Sequence, residues 1–393
     1  MKGGRTQHTF SPPVMEARRW IAGKEFPAER PLINVSQAAP MDPPPEALRA
    51  HIAETALTVP EAHLYGPVLG LPALRAELAS RWTAKYGGQI SSGQVAITSG
   101  CNQAFAAAVS AIAAEGDEVI LPTPWYFNHK MWLDMQGVTA VALETNAALL
   151  PNIETAQSLI TDKTRAIALV TPNNPAGVEY PSELVRAFFD LAREHGLKLI
   201  VDETYRDFDS RTGAPHPLFA DPDWAETLIH LYSFSKAYRL TGHRIGAVIT
   251  GAPLLAELEK FLDTVTICPN QLAQHAALWG MQNLDGWLAA ERLKVLDRRT
   301  AIKECFPTLE ARGWQLLGLG AYFAYLKHPF ELSSLELAQK LVDEAHVLAL
   351  PGIMFHPAGS NRGETEIRLA FANVNADQIA TLFDRLEAYR PIS

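Results

Sequence analysis

Between about residue 50 and residue 290, short continuous apolar runs alternate with segments whose apolar residues recur at helical spacing. VAIT (95–98), DEVILP (117–122), TAVALE (139–144), RAIALV (165–170), LKLIVDE (197–203) and TLIHLY (227–232) have strand length, are bounded by turn residues, and predict buried strands. LRAELASRW (74–82) follows Pro72, a good first helical residue, and PSELVRAFFDLAREHG (181–196) stops at Gly196; both predict helices. A further helix is expected to begin near Cys101. Alternation of this kind predicts an α/β fold with a mostly parallel sheet covered on both faces.

The pattern changes beyond about residue 290. A long charged helical segment, AAERLKVLDRRTAIKECF (289–306), leads to GAYFAYLK (320–327), a helix SLELAQKLVDEA (334–345), a short strand VLALP (347–351), EIRLAFANV (366–374) and a final helix. The expected division is an N-terminal arm with part of a small domain at 1–48, a large domain at 49–290 and a small α+β domain at 291–393. The proline-rich stretches SPP (11–13) and MDPPPEAL (41–48) mark the arm.

Composition narrows the function classes. Lys and Arg number 34 against 43 acidic residues, a net charge of −9 that argues against a nucleic-acid partner. The three cysteines, Cys101, Cys268 and Cys305, are far apart and lack metal-ligand spacing, so no metal or disulfide framework is expected. The longest small apolar run, AFAAAVSAIAA (104–114), falls short of the roughly 20 residues that cross a bilayer, and the N-terminus has no apolar secretory segment. A cytoplasmic protein without a membrane partner is expected.

Four predicted strand ends carry the chemistry, since ligands of open α/β sheets sit at the carboxyl ends of strands. In SFSKAYRLTGHRIG (233–246), Lys236 follows a buried strand, where lost hydration lowers an amine's pKa and makes it a nucleophile. Ser233, Ser235 and Arg244 beside it would suit a phosphate, which points to a phosphorylated aldehyde cofactor on Lys236. In ITSGCNQA (97–104), the chain turns through Ser99 and Gly100 so that N–H groups at Cys101 and Asn102 form a phosphate cup. In TPNNPAG (171–177), Asn174 offers a side-chain amide at the sheet edge. In VDETYRDF (201–208), Asp202 ends a strand too apolar for a free carboxylate and would suit a pyridinium nitrogen, with Tyr205 three residues on. Taken singly, each has a plain alternative: an ordinary turn, a helix cap, a surface lysine.

Together these motifs resemble the pyridoxal-phosphate-dependent aminotransferases of class I/II, fold type I, from YGPVLGLPALRAELA (65–79) to EIRLAFANV. The resemblance implies a large domain with a mostly parallel seven-stranded sheet plus a smaller α+β domain. It implies pyridoxal 5′-phosphate bound to Lys236 as a Schiff base, Asp202 on the ring nitrogen, and Asn174 and Tyr205 on the ring oxygen. Tyr126, in PTPWYFNH (122–129), would stack on the ring in preference to Trp125. The phosphate would fall to Ser233, Ser235, Arg244 and the turn at Gly100, Cys101 and Asn102. Arg368 would grip the substrate's α-carboxylate, with Asn174 and Ala38 alongside. Tyr65, in LYGPVLG (64–70), would reach the phosphate of a second subunit, so a homodimer with shared sites is implied.

The pattern also departs from the family. Ala38 and Ala39 precede Pro40 where many relatives have glycine before an acid, which narrows the room near the substrate carboxylate. TICPNQLAQ (266–274) has no basic residue where aspartate-specific relatives offer a second arginine, and Asn102 stands where another subgroup has lysine. The expected reaction therefore moves an amino group from a neutral or aromatic amino acid to a 2-oxo acid. Two rivals remain: a C–S β-lyase or an aminocyclopropane-carboxylate-synthase-like enzyme on the same cofactor, and a cofactor sensor. Fewer than 50 proline-rich N-terminal residues, in a chain of acidic net charge, leave no room for the sensor's DNA-binding module.

Overall fold

A computed structural model describes residues 3–391. The large sheet comprises β2 (Val95–Thr98), β3 (Glu118–Thr123), β4 (Thr139–Glu144), β5 (Thr164–Val170), β6 (Lys198–Asp202), β7 (Leu228–Ser233) and β8 (Gly246–Ile249), in the order β2-β8-β7-β6-β5-β3-β4. Only β8 opposes its neighbours; every other pair is parallel. The six expected apolar runs are the six co-directional strands, and burial on both faces explains why all but the half-buried edge strand β4 read as continuous rather than alternating.

A second sheet joins β9 (Gln315–Gly320), β10 (Phe323–Lys327), β12 (Leu350–Pro351) and β13 (Glu366–Ala370) in the antiparallel order β12-β13-β10-β9. β1 (Ile33–Asn34) pairs in parallel with β11 (Val347–Leu348), and Val35 links Leu348 to Ala370 through backbone hydrogen bonds. The arm thus completes the small sheet's edge. VLALP, expected as one strand, is two, because Leu348 and Leu350 pair with different partners on either side of Ala349. A helix not foreseen from the sequence, Pro13–Trp20, starts at Pro13, where a missing N–H costs nothing.

The helix Asp285–Glu310 runs through the boundary expected at residue 290 and serves both cores. Trp287 and Leu288 pack against the large-sheet cluster, while Val295, Ile302, Phe306 and Leu309 enter the small one.

Beneath the large sheet lies a buried polar cluster centred on Glu203. Its carboxylate accepts from Tyr86 Oη and His230 Nε2, the latter at 2.8 Å, with His216 Nε2 in a looser 3.4 Å contact. Burial alone would raise the Glu203 pKa; His216 and His230 outweigh it, and the group is held well below the usual carboxylate range. The Leu218 N–H donates to His216 Nδ1 at 3.3 Å, which leaves Nε2 as the ring nitrogen facing Glu203. Glu203, His216 and His230 also have ligand-like spacing.

Candidate active site

A cleft of about 220 Å³ opens at the carboxyl ends of β5, β6 and β7. Cys101, Asn102, Tyr126, Asn174, Asp202, Tyr205, Ser233, Ser235, Lys236 and Arg244, all singled out in the sequence, line it together with Gln37, Ala39, Val170, Thr204 and Thr241.

One end of the cleft is built for a phosphate. The helix Cys101–Ile112 begins after Gly100, and its first-turn N–H groups have no intrahelical acceptor. Gly100 has φ +88°, and a Cβ there would come within 2.3 Å of Arg244 Nη2, so the guanidinium lies across the turn. Across the β2–β8 pair, a Cβ on Gly246 would lie 2.8 Å from the Cys101 nitrogen, so this close approach also requires glycine. Ser235 Oγ accepts from Arg244 Nη1 at 3.3 Å, and Ser233 Oγ caps the Ser235 N–H at 3.2 Å. Hydroxyls, amides and an arginine therefore face one point.

At the other end, Asp202 is buried at the end of β6. Its Oδ1 accepts from the Thr204 N–H and hydroxyl at 2.9 and 2.7 Å, an arrangement readable from the D-E-T order. Its Oδ2 lies 3.2 Å from His129 Nε2, off the line of a full hydrogen bond. Burial would raise the Asp202 pKa, but His129 and Thr204 outweigh burial and the carboxylate stays ionised. His129 was missed in the sequence. Its ring stacks on Phe105 at 3.7 Å, fixed by a helix remote in the chain from Asp202, and no local spacing reveals the meeting.

Lys236 lies between the two ends, half-buried, with Nζ 2.5 Å from the Ala38 carbonyl oxygen. Burial first, then Arg244 and Arg368, lower its pKa to about 8, so a substantial neutral fraction exists near physiological pH. Tyr126 Oη donates to Asn102 Oδ1 at 3.2 Å and accepts from Asn128 Nδ2 at 2.8 Å; burial, with Asp202 adding to it, pushes its pKa up to about 12. Trp125 does not line this cleft. Tyr205 is buried against Tyr322 and Phe323 with its pKa well above the ordinary value, again through burial.

Arg368 is 1% exposed, lies between the Phe323 and Phe355 rings, and has no carboxylate partner among the described residues. Its fork is held by neutral acceptors, Asn174 Oδ1 at 2.9 Å and the Ser36 carbonyl, and its Nε has no partner. Glu366, a candidate partner two residues away, instead takes His356 and Arg362. Burial lowers the Arg368 pKa to about 10. Arg368, Ala38 and Gly100 do not line the cleft themselves but touch residues that do, through Asn174, Lys236 and Arg244, whereas Tyr65 lies apart, 82% exposed and outside the cleft of its own chain.

The donor set fits pyridoxal phosphate: an anion cup, an ionised buried carboxylate, and an amine of lowered pKa share one cleft, and the carboxylate lacks a cation of its own except a histidine contact.

Residues 30–386 match the family model described as aminotransferase class I and II. The chain is 26% identical to the aromatic aminotransferase ISS1 of Arabidopsis thaliana over 95% of each chain. It is 30% identical to the arginine–pyruvate transaminase AruH of Pseudomonas aeruginosa over 75% of this chain and 76% of that one. The fold is shared with the aspartate aminotransferase of Thermus thermophilus solved with maleate, at TM-score 0.87, 23% identity and coverage of 98% and 99%.

Proposed function

We propose roles for the residues of this cleft on the premise that the chain belongs to the class I and II aminotransferases. It is a pyridoxal-phosphate-dependent transaminase that acts on an amino acid and a 2-oxo acid. Ser233, Ser235, Arg244 and the amides following Gly100, at Cys101 and Asn102, would hold the phosphate; Tyr126 would cover the ring, Asp202 would pair with its nitrogen, and Asn174 and Tyr205 would meet its oxygen. Bound there, the cofactor supplies an electron sink for the pair left when a bond to the substrate's Cα breaks.

Arg368 takes the α-carboxylate, exchanging neutral acceptors for a charge-assisted, two-point contact. The Ala38 carbonyl borders the same space and keeps Lys236 Nζ oriented towards it. Lys236, with a pKa near 8, is the base that removes the Cα proton and the acid that returns it. Burial of the cleft excludes water from that exchange.

Lysine and ionised aspartate in a single cleft, with a carboxylate-free arginine bonded to Asn174 of the cleft wall, form the observation that carries this reading. The donor is a neutral or aromatic amino acid, since Asn102 and residues 266–274 offer no cation for a side-chain carboxylate. The working form is a homodimer: Tyr65, with neighbouring Leu64 and Leu57, is strongly exposed, and a second subunit would cover them. The compartment is cytoplasmic, which three unpaired cysteines support, and no helix among the described residues is long and apolar enough to cross a membrane.

The test is to mix the holoenzyme with single amino acids and no 2-oxo acid. Stoichiometric conversion of donor to 2-oxo acid, with the cofactor left aminated, is expected. Continuous release of pyruvate and ammonia would instead establish β-elimination, which the aminotransferase relatives do not favour.

A further inference from the structure

The stretch at residues 36–38 passes between the two cations the reaction uses. The Ser36 carbonyl accepts from Arg368 Nη2 and the Ala38 carbonyl accepts from Lys236 Nζ. Gln37, between them, is thus within roughly 7 Å of chain from each contact and lines the cleft. A substrate held by its α-carboxylate at Arg368 and deprotonated by Lys236 has to send its side chain past this residue.

The Gln37 amide is engaged at one end only. Its Oε1 accepts from Arg18 Nη2 at 2.8 Å, and its backbone carbonyl accepts from Asn373 Nδ2 at 3.2 Å. Its amide nitrogen donates to nothing among the described residues. Arg18 has no carboxylate partner among them either, whereas the adjacent Arg19 takes Glu16. Arg18 lies on the helix Pro13–Trp20, which Ala17 anchors in a cluster with Tyr325, Leu350 and Phe355. The guanidinium therefore fixes which end of the amide faces away from it and polarises the free N–H groups.

We propose that Gln37, oriented by Arg18, is the specificity residue for the end of the substrate side chain. It donates to a carboxamide oxygen there, and so favours neutral amino acids that carry one, and their 2-oxo acids, over hydrocarbon or thioether chains of equal length. This rests on the roles given above to Arg368 and Lys236.

The experiment compares kcat/KM for glutamine, glutamate and methionine in the wild-type holoenzyme and in Gln37→Leu, Arg18→Ala and Arg18→Lys. Calorimetric binding of the unreactive 2-methyl analogues is measured in parallel. The wild type is expected to prefer glutamine to both glutamate and methionine, and Gln37→Leu to shrink that preference about tenfold, mainly through KM and analogue affinity. Arg18→Ala should shrink it in the same direction, since the amide loses its orientation. Arg18→Lys should restore part of that loss. A wild type that prefers methionine, or a Gln37→Leu variant that loses all three donors by one common factor, overturns the proposal. Turnover that survives Lys236→Ala would overturn the underlying site assignment instead.

Discussion

Arg368 Nη1 donates to Asn174 Oδ1 at 2.9 Å, and this one bond joins β13 of the small sheet to the turn after β5 of the large one. The group proposed to bind substrate therefore also ties the two lobes together. Arg368→Ala is expected to raise KM for amino acids by roughly a hundredfold or more, because a buried charge-assisted contact is lost. Arg368→Lys should recover little, since an ammonium cannot offer two parallel donors. Both variants should keep the cofactor's absorbance, which checks that the defect is in substrate binding.

Lys236 predicts a pH signature in protein prepared without cofactor. Its folded pKa is lowered to about 8, while an unfolded lysine titrates near 10.4, so the unfolded chain binds the extra proton between those values. Keeping the charge buried opposes folding below about pH 8, and the opposition fades as pH rises from there towards 10. Lys236→Met should have a higher denaturation midpoint than wild type at pH 7, with the gap closing at alkaline pH.

Glu203 predicts the opposite sign. Its folded pKa is depressed, so its contribution is complete above the unfolded value of about 4.3 and is lost as pH falls through the folded one. Glu203→Gln should cost about 1–3 kcal/mol at neutral pH, and the two proteins should converge in acid. Urea titrations at pH 7 and pH 3 check this.

Gly100 carries both strain and contact arguments. Gly100→Ala forces a side chain into φ +88° and within 2.3 Å of Arg244 Nη2. A cost of about 1–2 kcal/mol is expected from the backbone alone, together with weaker retention of pyridoxal phosphate on dialysis.

Five of the six co-directional strands were legible because burial on both faces writes them as unbroken apolar runs, and the edge strand β4, half-buried, because its short apolar run is bounded by turns. β9 was not, since Gly318 and Gly320 dilute its alternation, and both approach the 176–177 turn too closely for a side chain. β1 has two residues and no pattern of its own; its pairing with β11 decides it. In the cleft, what lies within one turn of chain was readable: the Ser233–Ser235–Lys236 cluster, Gly100 at the helix start, and Asp202 with Tyr205. Contacts that fold topology alone creates were not: His129 against Asp202, the Ser36 carbonyl on Arg368, and Gln37 beside Arg18. Tyr65 is a third kind, since its proposed partner lies on another chain.

The central claim is that Lys236 carries the cofactor, and the most direct measurement fixes that linkage. The holoenzyme is reduced with borohydride, digested, and the pyridoxyl group located by mass spectrometry. The account predicts a single modified peptide, with the added mass on Lys236 and none when amino acid donor is added first. A pyridoxyl group on another lysine, or no stable modification in a protein that still binds the cofactor, would contradict it.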